Sequence, residues 1–356
     1  CFAASAIYPI SFIAKFDNKS RQYHCASSNW VTGQIAHVTS FDEKGILMQR
    51  AISVVSLGVG LMLVAACGPG RKAAWDEGSK KLKDSPEAAD TTTAEAEMPA
   101  EDAALRDKAE AAWAERSERT KLQEAIDIWT QLTKKYPDNT EFWTQLARAH
   151  YLMGDGHHRL AGEADAMLEA FDRGVDAGER AMMAASNEFS AAVKEGKKVE
   201  EAVDLLPKSA QPAIYWYASN LGKFAVNKGF TTTLYYKDRI FEVMQHVLQL
   251  DEKFFHAAPH RYFGVFYAKA PSFAGGDMQK SKEHFDKALS IDDRYLGTKV
   301  LYAKYYAVKS DNEELYKQML QSVVDADPTV IPELTPEQKI EQTKAERLLQ
   351  NIDETF

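Results

Sequence analysis

Few side chains in this sequence are spaced for covalent or metal chemistry. His157 and His158 stand together in a stretch that reads as a loop, and two imidazoles there could in principle hold a metal. Adjacent side chains point apart on most backbones, however, and no Asp, Glu or Cys cluster with ligand spacing accompanies them. Exposed loop histidines, with no metal and no cofactor, are the expectation. His246, His256 and His260 fall in helical patterns, where a packed or half-exposed imidazole is the default. The sequence holds no phosphate-cradling glycine loop, no nucleophile elbow and no metalloprotease helix. No catalytic residue is therefore assigned, and an enzyme is not expected.

Binding chemistry is better represented. In Ala213–Phe224 the three consecutive aromatics Tyr215, Trp216 and Tyr217 point in three directions on a helix, so they cannot all serve one core face. At least one should line a cavity, a groove or a neighbouring chain, unless the helix is buried on every side. A second cluster, Tyr262, Phe263, Val265, Phe266 and Tyr267, could face it and form an apolar pocket with a few polar groups. Downstream lies Ala270-Pro271-Ser272-Phe273-Ala274-Gly275-Gly276-Asp277. Pro271 cannot continue the preceding helix, Gly275 and Gly276 supply backbone conformations closed to other residues, and Asp277 can cap the next helix. The candidate ligand or partner residues are thus Tyr215, Trp216, Asn220, Lys223, Phe266, Phe273, Gly275, Gly276 and Asp277.

The elements that must position them read as helices. From residue 102 to 351 apolar positions recur at i, i+3, i+4 and i+7 with no convincing strand, giving an all-α domain. A tetratricopeptide-like (TPR) pattern repeats through it. First-helix matches are Trp143-x2-Leu146-Ala147-x2-His150, Ala218-x2-Leu221-Gly222, His260-x2-Phe263-Gly264-x2-Tyr267 and Lys299-x2-Tyr302-Ala303-x2-Tyr306. Second-helix matches include Ala125-x3-Trp129 and Ser281-x3-Phe285-x2-Ala288. The expected fold is a TPR-like helical-hairpin solenoid with extra helices and long intra-repeat loops. Lys299 to Leu315 keeps the repeat's spacing of 16 residues, but Trp143 to Met167 is 24, Ala218 to Ile240 is 22 and His260 to Ser281 is 21. In a solenoid, insertions at equivalent points lie along one edge, often the binding side. Asn187 to Pro207 reads as an extra segment of short helices, and Thr335 to Asn351 as a terminal capping helix.

The first 101 residues read differently. Residues 1–47 form an upstream extension without helical periodicity, and Met48 opens a better N-terminus. Gln49-Arg50, the apolar run Ala51 to Ala66 and then Cys67 make a secretory signal over 48–66. Val64-Ala65-Ala66-Cys67 resembles a bacterial lipobox, which implies cleavage before Cys67 and lipidation there; Gly68 in place of Asp points to the outer membrane. Residues 67–101 are Ala-, Glu-, Thr- and Pro-rich with Trp75 as the one aromatic, and read as a lipidated disordered tether. The whole chain carries 43 Lys and Arg against 52 Asp and Glu, which argues against a nucleic-acid partner.

Two strings, Tyr215-Trp216-Tyr217-Ala218-Ser219-Asn220-Leu221-Gly222-Lys223 and Pro271-Ser272-Phe273-Ala274-Gly275-Gly276-Asp277 followed by Lys280, Ser281, Phe285 and Ala288, resemble a known family. It is that of the T-component lipoproteins of tripartite ATP-independent periplasmic (TRAP) transporters, often called TatT. The likeness spans about residues 103 to 330, with Ser281 standing where Ala is expected. The resemblance implies a repeat-built, all-helical periplasmic lipoprotein, held to the membrane by its lipid anchor only. It also implies association with the transporter's solute-binding protein, uptake of a small hydrophobic ligand in a pore or cleft, and a capacity to form homo-oligomers. The competing expectation is a TPR scaffold lipoprotein for envelope or outer-membrane protein assembly.

Overall fold

The computed structural model describes residues 70–77 and 98–356, all within the unit 65–356. The upstream extension, the signal segment, Cys67 and the remainder of the expected tether lie outside the described residues. Among the described residues every regular element is helical, as the periodicity requires, and no helix is long and apolar enough to cross a membrane.

The principal helices are α1 Ala100–Ala114, α2 Arg119–Lys135, α3 Thr140–Leu152, α4 Ala164–Ala185, α5 Asn187–Lys194, α6 Gln211–Lys228, α7 Phe230–Leu250, α8 Phe254–Lys269, α9 Met278–Ile291, α10 Leu296–Leu301, α11 Glu313–Val324 and α12 Thr335–Gln350. Their starts are fixed chemically. Asn139, Ser186, Asp277 and Asn312 each accept a hydrogen bond from the first free N–H groups of α3, α5, α9 and α11. In α2 one stripe is buried, Leu122, Ala125, Ile126, Trp129 and Leu132, whereas α6 is buried on several sides, Ala213 to Ala218 without a break. Successive helices pack as neighbours, with α6 lying on both α3 and α4.

Small residues decide how close these helices come. A Cβ on Gly178 would meet the backbone of Tyr217 at 2.7 Å, and one on Gly174 would strike Asn220 Oδ1 at 2.2 Å, so α4 and α6 cross in near backbone contact. At the α8/α9 crossing a Cβ on Gly264 would lie 2.8 Å from the Phe285 ring. Here the buried Ser281 hydroxyl donates to the Gly264 carbonyl at 2.7 Å, so the Ser in place of Ala is satisfied across that close crossing.

The structure corrects four expectations. Two of the three expected long loops are helical. Residues Met153–His158 continue α3 as a π-helical turn, which absorbs additional residues by widening the hydrogen-bond ring. His157 and His158 therefore lie on a helix, where they contact the Arg116 carbonyl (3.0 Å) and Glu163 (2.6 Å). Between α6 and α7 the insertion is spent on longer helices broken only at Gly229. The third, Ala270–Asp277, remains a loop. Second, the reading of 67–101 as continuously disordered fails over 70–77. Trp75 is buried against Phe189 and Tyr217, with ring centres 6.5 and 6.4 Å apart, and Arg71 pairs with Asp172 (2.5 Å) and the buried Glu179 (2.6 Å). One indole and one guanidinium with a buried carboxylate partner hold a segment whose average composition is polar.

Third, α12 does more than cap the last hairpin. It packs on α11 and also returns to the first helices: Glu337 forms a two-pronged pair with the buried Arg116 (3.0 and 2.7 Å), Lys344 reaches Asp155 (2.7 Å), and Arg347 donates to the Leu160 carbonyl (2.7 Å). The last helix is thereby tied back to the region of the first three. Fourth, the N-terminal end of α8 is not right-handed helix: Phe255, His256 and Ala257 all have left-handed backbones, with φ of 43°, 57° and 61°. Each such non-glycine residue costs about 1–2 kcal/mol. Arg261 stabilises the turn by donating to the carbonyls of Phe255 (2.9 Å) and His256, while the His256 ring stacks on Tyr295 and pairs with Asp292 at 2.8 Å.

Candidate functional site

The closure by α12 leaves a cavity of about 780 Å³ bounded by the π-helical turn after α3, by α6 and α8, by the loop Ala270–Asp277, by a second π-helical turn Tyr302–Ala307 after α10, and by α12 itself. All three widened hairpins contribute lining residues: Asp155 and Arg159 from the first, Val226 and Phe230 from the second, Pro271 and Phe273 from the third.

Its apolar wall is aromatic. Trp216 packs between Tyr151 (5.3 Å between ring centres), Tyr215 (4.8 Å) and Phe255 (5.3 Å), and the left-handed turn of α8 is what carries Phe255 there. Tyr262, Phe266 and Tyr295 complete it. Tyr217, the third member of the aromatic run, faces the other way, into the core beside Trp75. The rim is also apolar: Phe273 is 85% exposed and Phe230 69%.

The polar groups gather around two centres. Asp155, nearly buried, receives Lys223 at 2.6 Å, Lys344 at 2.7 Å and Arg159 at 3.0 Å. Burial opposes its charge, but these three cations hold its carboxyl well below the usual carboxylate range. Burial likewise opposes the Lys344 ammonium, and Asp155 and Glu341 hold it above its ordinary value. At the second centre Arg148 lies over Trp113 at 4.8 Å with Glu337 at 3.5 Å, its Nε buried and unpartnered. Among the described residues no group of three or more His, Cys, Asp or Glu is placed to hold a metal ion.

The sequence-derived candidates divide. Tyr215, Trp216, Lys223, Phe266 and Phe273 line the cavity. Asn220 does not: fully buried, it donates to the Ala147 carbonyl (3.0 Å) and the Trp216 carbonyl (2.8 Å), tying α6 to α3. Gly275, Gly276 and Asp277 build the loop that presents Phe273. Gly275 takes the left-handed conformation (φ 96°), and Asp277 accepts from the N–H groups of Gln279 (3.0 Å) and Lys280 (3.1 Å). Gly276 is required for a different reason than a special backbone angle, since a Cβ there would lie 1.8 Å from the Ala270 carbonyl oxygen.

Sequence reasoning missed Asp155, Arg148, Lys304 and Lys344. The one available signal was Asp155 between two glycines: a Cβ on Gly154 would meet Phe171 of α4 and one on Gly156 would meet Ile340 of α12, each at 2.8 Å, so the two glycines let the turn carrying the carboxylate sit close to α4 and α12.

No curated protein matches the chain. A family model described as TRAP transporter T-component matches residues 161–356, which include the helix α6, the Pro271–Asp277 loop and the closing helix. That match covers more than half of the sequence, and the chain belongs to the TRAP transporter T-component family.

Proposed function

We propose that this chain is the periplasmic accessory lipoprotein of a TRAP-type uptake system, holding a small, largely hydrophobic ligand in its cavity and contacting the solute-binding protein at the cavity's rim. Family membership supports a role in TRAP transport. The observation that carries the finer reading is the aromatic cavity itself, about 780 Å³ and rimmed by exposed Phe230 and Phe273, since such an apolar rim on a secreted protein favours a covered state. A scaffold for extended partners is better served by an open face, whereas α12 is tied back across the cavity by Lys344 and Arg347, which disfavours the envelope-assembly reading. In this reading Cys67 carries the lipid that anchors the chain, on the outer membrane, and the docked segment 70–77 keeps the folded body close to the bilayer.

Titration calorimetry with the co-encoded solute-binding protein tests the partner. Binding by the native chain that Phe273→Asp weakens at least tenfold is the expected result. No binding by the native chain overturns the partner assignment.

A further inference from the structure

The cavity's charge balance differs in sign from that of the chain. Nine of its lining residues are Lys or Arg and three are Asp or Glu, in a protein whose net charge is −9. The three acids are already taken. Asp155 is shared by three cations, Glu341 pairs with Lys344 at 2.7 Å, and Glu337 is engaged by Arg116 and Arg148. Two further lysines face the same space with no carboxylate in ion-pair distance among the described residues. The Lys269 and Lys304 ammonium groups each lie 5.8 Å from the centre of the Tyr305 ring, and both residues are exposed and line the cavity.

Packing cations together without counterions is costly, because each disfavours the charge of the next. Both lysines are exposed to solvent at the cavity, yet partial desolvation together with Lys223 and Arg159 pushes the Lys304 ammonium down to about 8, and the same causes lower Lys269. A second anion would relieve that repulsion. Asp155 and Lys304 both stand on π-helical turns, an arrangement that projects side chains out of the regular helical register and recurs at functional sites. An apolar wall formed by Trp216, Tyr262 and Phe266 belongs to the same cavity.

From this geometry we infer that the cavity takes an amphiphilic organic anion, its acidic head group bound by Lys269 and Lys304 and its apolar body lying along Trp216, Tyr262 and Phe266. The inference rests on the reading of the cavity as a ligand site and specifies the ligand's class.

Calorimetric titration of the full chain with decanoate and with 1-decanol separates charge from apolar burial. Decanoate is expected to bind roughly tenfold more tightly than the alcohol, the scale of one or two charge-assisted contacts. Lys304→Met and Lys269→Met should each weaken decanoate by a similar factor and leave the alcohol unchanged, and Lys304→Arg should restore most of the loss. Equal affinities for the two probes, or variants that weaken both alike, would overturn the anionic class and leave the cavity as a site for neutral ligands. A preference for decanoate that survives both substitutions would overturn the head-group assignment. If neither probe binds, the ligand reading of the cavity fails and this inference fails with it.

Discussion

Lys223 on α6 places its ammonium 2.6 Å from Asp155 on the π-helical turn after α3, and Lys344 from the closing helix approaches the other carboxylate oxygen at 2.7 Å. One acid thus joins three separate parts of the chain. Removing a single partner from such a site leaves the remaining charges buried and uncompensated, which costs about 3–5 kcal/mol. Asp155→Asn is expected to destabilise the protein by that amount in denaturant unfolding. A loss under about 1 kcal/mol, the scale of an exposed ion pair, would mean that water screens the cluster.

Acid should also weaken the fold. Burial, aided by Arg173, lowers the His150 imidazole to about 4, and burial with the neighbouring His260 does the same to His284, whose Nδ1 lies 2.9 Å from His260 Nδ1. A group with a lowered folded-state value binds fewer protons when folded than when unfolded, so stability rises with pH between the two values. The contribution is complete above about 6.5 and is lost as the pH falls from 6.5 towards 4. Melting temperatures measured across that interval should fall, with a shallower dependence in His150→Gln. An unchanged slope in that variant would remove His150 from the account.

The two loop glycines should respond differently. Gly275→Ala asks an L-residue to hold φ near 96°, a cost of about 1–2 kcal/mol with the loop's course preserved. Gly276→Ala instead puts a methyl group 1.8 Å from the Ala270 carbonyl oxygen, so the backbone of the loop must move and Phe273 with it. Partner binding should fall more in Gly276→Ala than in Gly275→Ala. The reverse order would show that the left-handed residue, not the close contact, sets the position of Phe273.

Half of the site was legible because its signals are local. Three aromatics in a row on a helix overfill any single face, which brought Tyr215 and Trp216 to notice, and Pro271 with two glycines marked the loop that carries Phe273. The charged half depends on pairings with no sequence signature, since Asp155 and Lys344 are 189 positions apart and charged residues make up 27% of the whole chain. The left-handed turn at Phe255–Ala257 contains no glycine and is imposed by Arg261 and Tyr295, so no turn rule could find it. The docking of residues 70–77 was lost to averaging: two anchors, Arg71 and Trp75, vanish into a polar stretch.

At the start of α12 the contact across the cavity is one buried pair. Arg116, 4% exposed, donates to both oxygens of Glu337 and to the Glu333 carbonyl, so the start of α12 is fastened to the turn between α1 and α2. Glu337→Gln leaves that guanidinium, and Arg148 beside it, without a counter-charge, and should cost about 3–5 kcal/mol. Arg116→Met alone leaves Glu337 only the longer contact to Arg148 (3.5 Å) and should cost somewhat less. If the pair acts as a unit, the double variant should be less destabilised than the sum of the two, because no unmatched charge remains between these partners. Hydrogen exchange localises the effect: amides of α12 should lose protection before those of α4 and α6, whose contacts do not involve this pair. Uniform loss across all helices would instead mean that α12 unfolds only with the whole domain, and that the cavity does not open on its own.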